Sequence, residues 1–214
     1  KNNLGSYEGE WAFGRSQGKG TRVFSNGSKY VGGMFEGELH GEGIMFFANG
    51  DQYVGMWSRG YMSGRGVIRF ANGERYEGQF KDGVFYGEGK YTFSDGGYYE
   101  GEYKNVRCNP YNYLEFPHFD NLRHGFGLRV WSNGTKYQGQ WSLGKMDGQG
   151  VITNVLGEKY EGSFSQNLKH GNGREEFGNL FGQRYLCPLG HYHKGNGFCV
   201  YEGSYKQGFF DGQG

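Results

Sequence analysis

The sequence predicts an all-β fold, an elongated single-layer antiparallel sheet of consecutive β-hairpins. Three observations predict it: a 23-residue repeat, alternation of aromatic and polar residues within each repeat, and Asn-Gly or Asp-Gly dipeptides at the ends of repeats. The composition agrees, because 44 of the 214 residues are Gly and only 3 are Pro, while 18 Tyr and 18 Phe supply rings. Aromatic residues favour strands and are scarce in disordered chains, so the chain is expected to fold.

The motif Tyr-x-Gly begins the first strand of each repeat. It recurs every 23 residues through the first five repeats, and three more copies follow. The copies begin at Tyr7, Tyr30, Tyr53, Tyr76, Tyr99, Tyr137, Tyr160 and Tyr201. An aromatic residue stands four positions after each Tyr, as Trp11 does after Tyr7, with Met34 as the one departure. Because side chains alternate along a strand, both rings are expected on one face and polar residues on the other.

A Gly-x-Gly pair begins the second strand, 11 residues after the Tyr in most repeats. A Gly seven residues after the Tyr marks the turn between the two strands, and Asn167 replaces it once. Asn is the substitution expected where φ must be positive. The second strands end in dipeptides that favour tight hairpin turns, so each strand is expected to return antiparallel. These dipeptides are Asn26-Gly27, Asn49-Gly50, Asn72-Gly73, Asp95-Gly96 and Asn133-Gly134.

Two repeats depart from the constant spacing. The Gly125/Gly127 pair comes 26 residues after Tyr99 instead of 11, and the step from Tyr160 to Tyr201 is 41 residues instead of 23. The spacing therefore predicts one repeat array over residues 7–214, with insertions at about 105–121 and 175–198. Residues 1–6 form an N-terminal flank.

The whole pattern resembles that of MORN repeats: Tyr-x-Gly-x-Trp/Phe, a Gly-bearing turn, Gly-x-Gly and a terminal aromatic before Asn-Gly. Eight copies are present, the last one incomplete, and they cover residues 7–214 apart from the two insertions. The resemblance implies an elongated sheet of consecutive hairpins and a function in recognition. Members of this family occur in ciliary radial-spoke components, protist cytoskeletal scaffolds, myosin-tail adaptors and junctional membrane proteins, and as attachments to lipid kinases or protein methyltransferases.

Charge, hydropathy and motifs narrow the function classes. Lys and Arg number 23 and Asp and Glu number 22, without a run of like charges, so no nucleic-acid partner is expected. No stretch approaches the ~20 apolar residues of a membrane-spanning helix. Three scattered cysteines are too few for a disulfide scaffold and favour a reducing compartment. No Gly-x-Ser-x-Gly, His-Glu-x-x-His or Gly-x-Gly-x-x-Gly motif is found, so we expect no catalytic residue and no enzymatic activity.

The first insertion is rich in aromatic residues. Its candidate partner-binding residues are Tyr111, Tyr113, Phe116 and Phe119, close to two of the three prolines. A loop with this many rings either folds over an exposed part of the sheet or presents aromatic anchors to a partner. Both interpretations stay open.

The second insertion contains four side chains of the types that bind zinc. They are Cys187, His191, His193 and Cys199. Cys and His suit tetrahedral zinc, and a metal ion could hold a loop that is too small to have its own core. Their irregular spacing equally fits small buried cysteines and surface histidines. No other cofactor is expected.

These observations predict a non-catalytic protein-interaction scaffold that presents an extended aromatic and glycine-rich groove to a helical or extended segment of a partner. The resemblance implies a cytoskeletal or axonemal partner, for example of radial-spoke type, and a cytoplasmic, cytoskeleton-associated location, with the ciliary axoneme as one such place. Two alternatives stay open: a module that binds phosphoinositide membranes, and the targeting segment of a larger enzyme such as a lipid kinase or protein methyltransferase. The net charge of +1 offers little attraction to anionic lipids. Homo-oligomerisation through exposed sheet edges is a further expectation.

Overall fold

The computed structural model describes residues 5–104, 123–177, 192–193 and 199–211. Every regular element in these ranges is a β-strand, so the predicted all-β fold is confirmed. The same ranges include no helix long and apolar enough to cross a membrane. The chain divides into two compact units, of which unit 1 is Lys1–Ser94 with Tyr103–Asp120 and unit 2 is Asp95–Glu102 with Asn121–Gly214.

Unit 1 contains the first eight strands, and each of them pairs antiparallel with the next strand along the chain. The strands are β1 (Ser6–Ala12), β2 (Arg15–Val23), β3 (Lys29–Phe35), β4 (Glu38–Phe46), β5 (Gln52–Ser58), β6 (Tyr61–Arg69), β7 (Arg75–Lys81) and β8 (Val84–Thr92). Short turns join all of them. The predicted series of consecutive hairpins is therefore confirmed for this unit.

Unit 2 repeats this arrangement. Its strands are β9 (Tyr98–Tyr103, of which Tyr98–Glu102 belong to this unit), β10 (Arg123–Val130), β11 (Lys136–Ser142), β12 (Lys145–Thr153), β13 (Lys159–Ser165), β14 (Leu168–Phe177), β15 (Tyr192–His193), β16 (Cys199–Lys206) and β17 (Phe209–Phe210). Strand β9 pairs with β10, β14 pairs with β16, and β15 pairs with β16. Residues 175–177, predicted to begin the second insertion, are the last residues of β14.

Two-residue turns join the two strands of every described repeat except the fifth, in which β9 and β10 are separated by the first insertion. Both central residues have positive φ, as Arg59 at 50° and Gly60 at 81° illustrate. This combination defines the type I′ turn, whose twist matches that of the flanking strands. The positive φ predicted for Asn167 is confirmed at 73°.

Each Tyr of the Tyr-x-Gly motif from Tyr7 to Tyr160 lies flat across two glycines of its own hairpin. A Cβ atom added to Gly43 would lie 2.3 Å from the hydroxyl oxygen of Tyr30, and one added to Gly32 would lie 2.5 Å from it. The Tyr30 hydroxyl donates a hydrogen bond of 2.9 Å to the carbonyl oxygen of Gly33. The glycines of Tyr-x-Gly and Gly-x-Gly are therefore required by close approach of the ring, because any side chain there would displace it.

The ring four positions after the Tyr connects one repeat to the next. Trp57 packs edge to face on Tyr53 of its own repeat, with centroids 5.2 Å apart, and on Tyr30 of the preceding repeat at 5.4 Å. In unit 2, Phe164 packs in the same way on Tyr160 and Tyr137. Edge-to-face contacts at these distances are favourable beyond the area that they bury. The rings are therefore the continuous core of each unit.

Candidate partner-binding face

The structure brings together few of the candidate residues from the insertions. Tyr111, Tyr113, Phe116 and Phe119 lie outside the described residues, as do Cys187 and His191. His193 is described only by its backbone, as part of β15. The partner-binding role of the four aromatic residues therefore stays a prediction.

Cys199 is the one candidate zinc ligand whose side chain the structure describes. Its side chain is buried at the start of β16, and its sulfur is disulfide-bonded. The zinc site of Cys187, His191, His193 and Cys199 stays a prediction, because the other three side chains lie outside the described residues. Among the described side chains, no three His, Cys, Asp or Glu are placed to hold a metal ion.

The predicted aromatic and glycine-rich groove is not an open surface in the described repeats. Tyr30, Tyr53 and Tyr76 have no exposed area, and Trp57 and Phe80 are also buried. The prediction of an exposed groove is wrong for these rings, because neighbouring repeats cover them by edge-to-face packing. Trp11 differs, since it is 60% exposed.

The opposite face of the sheet in unit 1 exposes an apolar row instead. We call the face that carries the Tyr rings the inner face and the opposite one the outer face. Side chains next to each Tyr point to the outer face by strand alternation. The antiparallel register places Val31 opposite Ile44, Ile44 opposite Val54, and Val54 opposite Val67. These four residues, on β3, β4, β5 and β6, form a contiguous row that we call the apolar stripe.

The apolar stripe is accessible and is widened by its neighbours. Val31 and Val54 are both more than one-third exposed, and Ile44 and Val67 are half-buried. Phe46, two residues beyond Ile44 on the same face, is 43% exposed, and Met56, just before the buried Trp57, is 41% exposed. Isolated exposed apolar side chains are ordinary, whereas a contiguous patch of them indicates a binding surface.

The outer face of unit 2 is polar at the matching positions. The corresponding row consists of residues that lie directly opposite one another on neighbouring strands. They are Leu128, Gln138, Val151, Glu161, Arg174 and Glu202. The Arg174 guanidinium lies 2.9 Å from a Glu202 carboxylate oxygen. A row with paired charges and isolated apolar residues is typical of a solvated sheet face.

The inner face of unit 2 also carries charge. Lys169 forms an ion pair with Glu175, and its ammonium lies 4.9 Å from the centre of the Tyr160 ring. The Tyr205 hydroxyl donates a 3.0 Å hydrogen bond to Glu175. Burial, followed by the charge and hydrogen bonding of Glu175, raises the pKa of Tyr205 far above its ordinary value of 10. These groups satisfy one another inside the sheet, which indicates a structural role.

Burial is also the main cause of raised pKa values among the other core tyrosines. It raises the pKa of Tyr30 and of Tyr160 to about 12, and the pKa of Tyr53 further. A phenol with such a pKa stays protonated at neutral pH and is a poor general base. The tyrosines of the described repeats therefore serve packing and hydrogen bonding.

Sequence reasoning missed the apolar stripe, although the sequence contains a signal for it. The residue between Tyr and Gly is Val in two adjacent repeats, Val31 and Val54. In most other repeats it is Glu, and in one it is Gln138. A local change from Glu to Val on the solvent-facing side of a repeated strand indicates where one surface differs from the others.

A family model and related proteins give the context of these repeats. The model described as MORN repeat matches residues 7–29, 30–52, 53–75, 76–98, 119–136, 137–154, 160–179 and 201–214. Alsin from Homo sapiens and alsin from Rattus norvegicus are each 48% identical to this chain over 44 residues, which are 21% of this chain. The matched segment spans only 3% of the length of alsin.

Two solved structures resemble this chain in part of their fold. One is the wild-type TCP10 domain of Danio rerio CPAP, with 17% identity, coverage of 83% of this chain and 75% of that chain, and a TM-score of 0.41. The other is the SAS-4 (dCPAP) TCP domain of Drosophila melanogaster in complex with a proline-rich motif of Ana2, with 12% identity, coverage of 69% and 73%, and a TM-score of 0.37. Similarity this low gives no information on function. The repeats matched along most of the sequence, and the hairpins that they form, identify this chain as a member of the MORN-repeat family.

Proposed function

We propose that this chain is a non-catalytic protein-interaction scaffold that binds a segment of a partner protein on the outer face of unit 1. The observation that carries the proposal is the apolar stripe. Val31, Ile44, Val54 and Val67 are neighbours across four strands, and Phe46 and Met56 border them. A partner that covers such a patch stabilises the complex by about 25 cal/mol per Å² of apolar area removed from water.

The partner that we propose belongs to a cytoskeletal or axonemal assembly. This part of the proposal is supported by the family alone, since MORN repeats occur in radial-spoke components and cytoskeletal scaffolds. The sheet itself supports a scaffold in a more general sense. Within each unit the rings are buried and the outer face is accessible along the strands, so one segment of the chain can bind while others hold further partners.

The experiment that tests the proposal is crosslinking with mass spectrometry in a native cytoskeletal or axonemal fraction. We expect the crosslinked partner to be a protein of that fraction, with its crosslinks on β3, β4, β5 and β6. A second measurement uses the Val31→Thr/Val54→Thr variant, which keeps branched side chains but replaces methyl groups by hydroxyls. Affinity for the identified partner should fall at least tenfold.

The matched control is Val151→Thr, at the same row position in unit 2, which should leave the affinity unchanged. Crosslinks confined to other surfaces, or equal binding by the stripe variant, would contradict the proposal. Retention of lipid vesicles without any protein partner would also contradict it and would favour a membrane-binding module.

A further inference from the structure

The apolar stripe runs across the strands, and its spacing limits the shape of the segment that can cover it. Neighbouring strands lie ~4.8 Å apart, so the four residues span roughly 14 Å. Side chains on one face of a helix recur with each turn of ~5.4 Å, close to the strand spacing. On one face of an extended strand they recur every ~6.8 Å, so after two contacts the side chains of such a segment no longer face the residues of the stripe. The stripe therefore matches a helix of about three turns better than an extended segment.

Two rows of side chains border the apolar stripe on the outer face. Each lies two residues along the strands, or ~6.8 Å, from the stripe. One row contains Lys29 and Arg69, which are paired across the strands with Phe46 and Gln52. The other contains Lys19 and Arg65, paired with Gly33 and Gln79. A helix of ~10 Å diameter centred on the stripe would touch both rows.

The bordering rows are mainly cationic. On β2 to β6 they carry Lys19, Lys29, Arg65 and Arg69, against the single carboxylate of Glu42. Within the part of the chain that the structure describes, no salt bridge joins any of these four cations to a carboxylate. Farther along, on β7, Arg75 is paired with Glu77 at 2.5 Å. On β2 to β6 the row of Lys29 and Arg69 therefore holds two cations and no carboxylate, and the row of Lys19 and Arg65 holds two cations with Glu42 between them.

We propose that the segment bound by the apolar stripe is an amphipathic α-helix whose apolar face is bordered on both sides by acidic residues. This inference rests on the proposed function and specifies the partner. Valine and isoleucine of the stripe would receive the apolar face of the helix, and Lys29 with Arg69 and Lys19 with Arg65 would receive the carboxylates. Complementary charge of this kind raises the association rate and fixes orientation, and both effects weaken in salt.

Two synthetic helical peptides test this inference on the whole chain. Both carry Leu at i, i+3, i+7 and i+10; one has Glu at the positions on either side, and the other has Lys there. Fluorescence anisotropy should show that the Glu peptide binds at least tenfold more tightly than the Lys peptide. Raising NaCl from 50 to 300 mM should weaken binding of the Glu peptide at least fivefold. Equal affinities, or no binding of either peptide, would overturn the inference.

Charge reversal supplies the specific control. Lys29→Glu/Arg69→Glu should weaken binding of the Glu peptide at least tenfold and improve binding of the Lys peptide. Lys136→Glu/Lys159→Glu, in the corresponding row of unit 2, should change neither affinity. Circular dichroism establishes that both variants keep their strands. Binding that is insensitive to Lys29→Glu/Arg69→Glu would overturn the inference.

The outcomes also separate this inference from the proposed function. If Val31→Thr/Val54→Thr abolishes binding of the crosslinked partner but that partner's bound segment is extended or lacks flanking acids, only the helical inference fails. If the stripe variant binds every protein partner normally, the proposed function fails as well. Sedimentation with phosphatidylcholine vesicles containing phosphatidylserine, in place of peptide binding, would assign the cationic rows to a lipid surface and overturn the inference.

Discussion

At matching positions, the β3–β4 hairpin of unit 1 and the β13–β14 hairpin of unit 2 carry residues of different chemistry. Leu39 and Met45 stand on the inner face of unit 1 where Lys169 and Glu175 stand in unit 2. On the outer face, Ile44 of unit 1 corresponds to Arg174 of unit 2. Both hairpins nevertheless have the same fold. The difference shows that the fold depends on the Tyr rings, the glycines beneath them and the turns, while the remaining positions are open to specialisation.

The largest effect that we expect is alkaline unfolding of both units, since the tyrosines are what they share. Burial raises the pKa of four core tyrosines in each unit: Tyr30, Tyr53, Tyr76 and Tyr91 in unit 1, and Tyr99, Tyr137, Tyr160 and Tyr205 in unit 2. The folded state therefore holds protons that the unfolded state releases near pH 10. Their stabilisation is complete below pH 10 and is lost as the pH rises toward 12 and above.

In this window each tyrosine lowers the free energy of unfolding by up to ~1.4 kcal/mol per pH unit. The combined loss from four tyrosines therefore exceeds the stability of a typical domain within about two pH units. Circular dichroism, phenolate absorbance and hydrogen exchange resolved by peptide measure the transition. Phenolate absorbance that completes near pH 10 while the strands persist would contradict it. Opening of one unit alone would show that the units do not rely on tyrosine equally.

The second effect is removal of one ring from each unit. We expect Tyr53→Ala and Tyr137→Ala to lower the free energy of unfolding of their own unit by about 3–5 kcal/mol, the usual range for truncating a buried aromatic side chain. Both rings are fully buried and cover a pair of glycines. Hydrogen exchange measures each unit separately. Tyr86→Ala is the control, since that ring is 41% exposed, and a loss as large as that of Tyr53→Ala there would undermine the distinction.

The third effect separates the units through the inner ion pair. Lys169→Leu should destabilise unit 2 by about 2 kcal/mol, because Glu175 is then largely buried without its cation. Lys169→Leu/Glu175→Met, which installs the residues that β4 of unit 1 carries at these positions, should recover most of that loss. Chemical denaturation of the single and double variants measures the coupling. A double variant that is less stable than Lys169→Leu would contradict this expectation and would show that positions 169 and 175 require charged side chains, whereas Leu39 and Met45 serve at the matching positions of β4.

The smallest effect concerns the turns, which are alike in both units. Phe13 and Leu143 have φ of 50° and 48° and are exposed, so their side chains gain little burial in a conformation that disfavours them. Phe13→Asn and Leu143→Asn should each raise stability by about 0.5–1 kcal/mol. Thermal unfolding measures the gain. A decrease would indicate that these apolar tips make contacts that stabilise the fold.

Much of the fold could be predicted because the repeat fixes it locally. The Tyr-x-Gly and Gly-x-Gly motifs gave the strands and their pairing, and Asn167 marked a backbone with positive φ, as the structure confirms. Local sequence encodes these features, since turn chemistry and alternation act over a few residues.

The candidate site was less predictable. The rings were expected to line a groove, because alternation gives the face of a ring but not whether the next repeat covers it. The apolar stripe depends on register between strands, which brings Val31, Ile44, Val54 and Val67 together from four separate segments.

The contact between Trp57 and the tyrosines of two successive repeats has an evolutionary consequence. Because each edge-to-face contact joins rings of adjacent repeats, duplicating or deleting one 23-residue segment restores the same ring contact at the new junction. Chain length can therefore change in whole repeats while stability per repeat stays nearly constant. Such proteins can therefore change in number of repeats, and in one exposed row of side chains at a time, without changes to the ring core.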